Sequence, residues 1–254
     1  MGRVCAMKYG RFSLFVMATI LGVCGFARAD GSTAVRHLVY NFEVSLATTS
    51  TVHSSGIGDG ASSGSVDYHG SNADQGQITV DVTAVQPDTG LVVTVAETGR
   101  NSRNNAATMC VVYGNGAVIC DQSKGGINEE EMSLLRVLGR DFVNHTLIDA
   151  KNHWQYAQST PQGNETNDYT INSTNGDLLN ISFERVLKVS GADSFDATSD
   201  GHIVYNQKLN VPSKIIEDTI TRKNTGMGNY DKVDQQISLT LTHDSMGEQA
   251  AQGH

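Results

Sequence analysis

Between Arg36 and Ala47 the side chains alternate. Leu38, Tyr40, Phe42, Val44 and Leu46 fall on one side, and Asn41, Glu43 and Ser45 on the other. A period of two with one polar side is the pattern of a strand with one face in water. It commits the chain to an antiparallel sheet that buries a single face. The same alternation returns over Gln77–Val85 (Ile78, Val80, Val82) and Leu91–Glu97, with Pro87-Asp88-Thr89-Gly90 as the turn between them. After Asp149 it runs to the end, predicting strands over Trp154–Ser159, Thr166–Ser173, Leu178–Val189, Ser194–Thr198, Gly201–Gln207, Ser213–Asn224 and Gln235–Thr242. Asn175-Gly176 and Asp200-Gly201 read as hairpin turns. Residues 54–76 are rich in Gly, Ser, Asp and Asn and poor in apolar residues, which predicts a long mobile connection or a ragged hairpin. Strands do not alternate with helices, so a nucleotide-binding parallel sheet is not expected.

Composition narrows the class. Of 254 residues 39% are hydrophobic and 18% charged, too apolar for a disordered chain and enough for a core in one domain, at most two. The formal net charge of −9 argues against nucleic acid, which selects Lys and Arg.

The charge is unevenly placed. The first 29 residues hold Arg3, Lys8, Arg11 and Arg28 and no acid, with an apolar run from Phe12 to Phe26 and then Ala27-Arg28-Ala29. A basic start, a short apolar run and a small-x-small triplet predict a secretory signal cut after Ala29. The apolar run is short for a membrane span of about 20 residues, and no later stretch could span a bilayer as a helix. Cleavage leaves 225 residues (254 less 29) and a charge of −13 (−9 less four positive charges). The expected location is periplasmic or secreted. Cys24 stands after Leu21-Gly22-Val23, where a lipid-anchored cysteine would want a small neighbour.

Two of the four cysteines lie in that signal. The other two, Cys110 and Cys120, bracket Val-Val-Tyr-Gly-Asn-Gly-Ala-Val-Ile, a β-hairpin pattern. A three-residue turn at 114–116 sets Cys110 opposite Cys120, within disulfide reach. A two-residue Asn115-Gly116 turn would misalign them. Export favours an oxidised, structural pair over a redox or zinc site.

One helix is predicted. Asn128 is its N-cap, Glu131 the capping-box partner, and Ile127 can staple onto Met132. Glu129 and Glu130 suit the positive end of the helix dipole. Leu134, Leu138, Phe142, Leu135, Met132 and Val143 cover about half the circumference at helical spacing, an arc wide enough to be cradled by a curved sheet.

Motifs with chemical content are few. Gly60-Ala61-Ser62-Ser63-Gly64 matches GxSxG, but in a Gly/Ser-rich loop instead of the strand–turn–helix a nucleophile elbow needs. Gly56-Ile57-Gly58-Asp59-Gly60 fails as a dinucleotide fingerprint for the same reason. Asp196–Gly201 resembles the start of a calcium loop, with Asp193 nearby, but Gln207 stands where a bidentate glutamate belongs. Asp141, His145, Asp149 and His153 are spaced by four and would share a face, with ligand types that suit a divalent metal, if the helix ran through them. A solvated helix edge is the plainer reading, and no HExxH is present. Asn144, Asn164, Asn172 and Asn180 open glycosylation sequons that matter only in a eukaryotic source. Trp154, the only tryptophan, follows the helix as a core anchor or as a cavity wall.

Together these features predict a mainly β protein: a curved antiparallel sheet or half-barrel of about eleven strands on one central amphipathic helix. In element order it resembles secreted bacterial β-rich proteins of unknown function. More distantly it resembles the half-barrel lipoprotein carriers of the LolA and LppX kind, which hold an acyl chain between sheet and helix. No motif carries that resemblance residue by residue, so it implies an architecture and no site residues. The functional expectation is a non-enzymatic protein that needs no cofactor and binds an apolar, lipid-like ligand or a partner protein in the concavity. Leu134, Leu135, Leu138, Phe142 and Trp154 would line the cavity. A structural or surface interaction module with a filled core is the alternative, and a metal-dependent hydrolase using the Asp/His series a further one. A carrier requires a connected apolar cavity of several hundred Å³.

Overall fold

The computed structural model describes residues 35–54, 64–86, 90–99, 106–113, 116–121, 123, 126–139, 142–143, 145–160, 163–191, 194–226 and 229–246. The signal-like segment, Cys24, the turn at 87–89, Asp141, Asp193 and most of the two glycine motifs near residue 60 lie outside them.

In chain order the elements are β1 (Arg36–Ser54), β2 (Gly64–Gln86), β3 (Gly90–Gly99), β4 (Thr108–Val112), β5 (Val118–Cys120), α1 (Glu129–Arg136), β6 (His153–Thr160), β7 (Gly163–Asn175), β8 (Leu178–Val189), β9 (Phe195–Asn206), β10 (Val211–Gly226) and β11 (Asn229–Asp244). All eleven strands join one antiparallel sheet in the order β5-β4-β3-β2-β1-β11-β10-β9-β8-β7-β6. The sheet is curved and does not close into a barrel. First and last strands meet at its centre: β1 pairs with β11 over nearly its whole length.

The alternation of β1 sets the rest. Leu38, Tyr40, Phe42 and Val44 are buried on the inner face, while Asn41, Glu43 and Ser45 are exposed. Register carries that face across the sheet. One row reads Ile171, Ile181, Ile203, Ile215, Leu239, Phe42. Two residues along each strand the next row reads Tyr169, Phe183, Gly201, Glu217, Ile237, Val44, Asp74. The third reads Asn167, Arg185, Ser199, Thr219, Gln235, Leu46, Asn72. The inner face thus passes from apolar to polar within two steps. The helix sits over that boundary.

Three sequence expectations are corrected. Of the two alternatives for 54–76 the mobile connection is overturned and the hairpin holds: Gly64–Gly76 is the first half of β2, paired residue by residue with β1, and only 55–63 fall outside the described residues. A β-ladder is made by the backbone, so a run polar on both faces can join it while showing no apolar alternation. Asp200-Gly201 is not a turn but the middle of one continuous strand, β9. A Cβ on Gly201 would lie 2.8 Å from the Phe183 ring, so the glycine marks a close approach between strands. The helix, finally, spans only Glu129–Arg136. Gly139 has φ +103, a left-handed conformation that ends a helix. Its N–H donates to the Asn210 carbonyl, and its carbonyl accepts from the Tyr205 hydroxyl. The next residues, Phe142 and Val143, are still buried, but on an irregular segment.

Other expectations are met. Cys110 faces Cys120 across the β4–β5 hairpin, with Val112 opposite Val118, and the two form a disulfide. Tyr113 N–H donates to the Ala117 carbonyl at 2.9 Å, the register that a three-residue turn dictates. β7 and β8 turn at Gly176 and Asp177, one residue later than the expected Asn175-Gly176 pair, with Asn175 closing the ladder opposite Leu178. Pro212, which cannot donate to a ladder, sits at a bulge of β10. No helix among the described residues is long and apolar enough to cross a membrane.

Candidate functional site

The five residues expected to line a ligand cavity come together, but as core. Leu134 and Leu135 on α1 are fully buried, and Leu138, Phe142 and Trp154 nearly so. The Phe142 ring lies 5.8 Å from that of Trp154, 5.1 Å from Tyr169 and 5.2 Å from Tyr205, centroid to centroid. Trp154 and Tyr169 stack at 5.1 Å. These are the separations of aromatic rings in contact. A cavity beneath the helix, walled by Ser133, Arg136, Val137, Asn167, Tyr169, Phe183 and Arg185, holds about 10 Å³. That is about the space of one water.

Around it lies a buried ionic cluster. The Arg185 guanidinium pairs with the Glu217 carboxylate, which also accepts from the Ser133 hydroxyl on α1 and, at 3.1 Å, from Thr219. Arg136, at the end of α1, stands 3.6 Å from Glu165, which accepts from Asn167 at 3.0 Å. Burial pushes the Glu217 carboxyl upward, but Arg185 and the Ser133 hydroxyl outweigh it and hold the group below the usual carboxylate range. Burial likewise works against the charge on Arg185, and the Glu217 carboxylate more than restores it. On Arg136 burial prevails, aided by repulsion from Arg185. Each charge is met by an opposite one, so the cluster ties the helix to the sheet.

At the other end of α1 a cleft of about 340 Å³ opens to solvent. Its walls are Val44 and Leu46 of β1, Asn72–Asp74 of β2, Glu97 of β3, Asn128–Glu130 and Gln235. Glu131, just inside, accepts the Asn128 N–H at 2.8 Å, the expected half of a capping box. Burial pushes the Glu130 carboxyl up to about 7, with Glu97 and Glu131 adding to it by repulsion. The Glu131 carboxyl is also raised to about 7, by burial first and then Glu97, against the pull of the Asn128 N–H.

The Asp/His series is not assembled by a helix. His145 is exposed on a turn, and Asp141 lies outside the described residues. Asp149 caps the turn into β6, accepting from the N–H groups of Lys151 at 2.7 Å and His153 at 3.0 Å, which lower its carboxyl pKa. The His153 ring stands 3.8 Å from Asp149 and 3.2 Å from Asp168, all three partly in water. No cluster of three or more His, Cys, Asp or Glu among the described residues could hold a metal ion. Asp196 and Asp200 lie along β9, not on a calcium loop.

Sequence reasoning missed Glu97, Arg185 and Glu217. Strict parity carries the signal for all three. Val93, Val95 and Glu97 alternate inward, as do Ile181, Phe183 and Arg185, and Ile215 and Glu217. Compared with known proteins, the chain matches no family model and no curated protein.

Proposed function

We propose that this is a non-enzymatic exported protein that acts as an interaction module. The helix and sheet fill the interior, and a partner is met at the cleft beside the helix N-terminus. The observation that carries the reading is the close contact of Phe142 with Trp154, Tyr169 and Tyr205, beside a space of only about 10 Å³. An acyl chain, as in the LolA-like carriers, would need that space to be many times larger. The cleft suits a protein segment instead. Val44 and Leu46 give it an apolar floor, and Asp74 and Glu129, which reach solvent at its mouth, favour a basic partner.

Native mass spectrometry of the chain exported by its own signal tests this. Every species is expected at the mass of whole polypeptide chains, without lipid or metal. A co-purified lipid mass would replace the interaction module with the carrier.

A further inference from the structure

The open sheet has two edges, and they are unequal. One is β5, three residues tied to β4 by the Cys110–Cys120 disulfide. The other is β6, His-Trp-Gln-Tyr-Ala-Gln-Ser-Thr, eight residues without Pro, Lys, Arg, Asp or Glu. Natural edge strands are usually blunted by such residues, by bulges or by a covering element. β6 pairs with β7 without a register shift, and no strand among the described residues lies on its other side.

Hydrogen bonding fixes which groups face outward. The Asn152 carbonyl accepts from Ile171 N–H at 2.9 Å. Counting by twos, residues 154, 156 and 158 direct their backbone groups toward β7, and 153, 155, 157 and 159 away from it. The outward pair of His153 is taken: its carbonyl accepts from Asp149 N–H, and its N–H donates to the Asp149 carboxylate. Gln155, Ala157 and Ser159 follow. The side chains that could screen this edge lean back onto β7: Gln155 to Asp168 at 2.8 Å, Gln158 to Glu165 at 3.4 Å and Ser159 to Asn164 at 2.8 Å.

We propose that β6 pairs antiparallel with β6 of a second copy of this chain, about a two-fold axis at Ala157. Gln155 then meets the second copy's Ser159, and Ala157 meets Ala157, each as a hydrogen-bonded pair. Tyr156 falls opposite Gln158. No like charges are opposed, although the chain as a whole carries −9. Because β5 is too short to accept β6, the pairing is isologous and closes at two copies instead of propagating. The inference is independent of the cleft and of what binds there.

Sedimentation equilibrium of the exported chain over a wide concentration range tests it, alongside two variants. The expected result is a monomer–dimer equilibrium reaching twice the mass of one chain. Ala157→Pro removes an N–H that β7 does not use, and weakens the dimer about tenfold or more. Ala157→Lys sets two ammonium groups face to face at the axis and weakens it in the same direction, so the test survives if the proline variant misfolds. Circular dichroism and Trp154 fluorescence confirm the fold of each. A monomer at every concentration, a dimer indifferent to both variants, or growth beyond two copies would overturn the proposal.

Discussion

Arg185 on β8 reaches across β9 to pair with Glu217 on β10, both side chains all but removed from water. The reach is open because β9 offers only Gly201 and Ser199 between them. Removing one partner strands the other as a buried charge, so Arg185→Met or Glu217→Leu should each cost about 3–5 kcal/mol of stability. Replacing both with apolar residues of similar volume should recover most of that loss. Urea unfolding of the two single variants and the double variant measures the coupling. Equal, additive losses would mean that the pair contributes nothing as a pair.

The acidic end of α1 predicts a pH dependence of stability. Glu130 and Glu131 are raised from about 4.5 to about 7 in the folded protein. Between those values the folded state holds protons that the unfolded chain has released, so stability falls as pH rises. The contribution is fully present below about 4.5 and is lost by about 7. Glu217, held low, acts in the opposite sense: its contribution is present above the unfolded carboxylate range and is lost as pH falls through its folded value. Maximal stability is therefore expected on the acid side of neutrality. Denaturation midpoints measured across this range should fall with rising pH. Glu130→Gln, which removes one of the two titrating carboxyls, should flatten that slope.

The fold was legible wherever one face alternates, because burial of alternate residues leaves its mark on composition. β1, β3, β8 and the cysteine hairpin are of this kind. The distal half of the β1–β2 hairpin was legible only as one of two alternatives, because its ladder is backbone hydrogen bonding between strands polar on both faces. The helix end was missed because Phe142 and Val143 are buried as helical spacing requires, while Gly139 turns the chain out of the helix before them. The site residues were harder still. Arg185 and Glu217 are 32 positions apart, and only β-sheet register brings them together.

The Cys110–Cys120 disulfide closes a short loop at the edge of the sheet. By loop-closure entropy, a loop of this length contributes about 2–3 kcal/mol. The Cys110→Ser/Cys120→Ser double variant should lose that amount in urea unfolding. Reduction of the native protein should give the same midpoint. A larger loss on reduction than in the double variant would mean that the thiols themselves disturb the core around Cys110.

Gly201 tests the reading of β9 as one unbroken strand. At a hairpin turn, alanine would be resisted only by the local backbone. In β9, a methyl group there meets the Phe183 ring and the backbone of β10. Phe183 is held in turn by Tyr169, 6.2 Å away between ring centroids, and Tyr169 stacks on Trp154. The strain should therefore reach the aromatic cluster. Gly201→Ala is expected to cost about 1–3 kcal/mol, as overfilling a core does. Because Trp154 is the only tryptophan, its emission reports the shift directly. An unchanged spectrum with unchanged stability would mean that the strands are not held this close in solution.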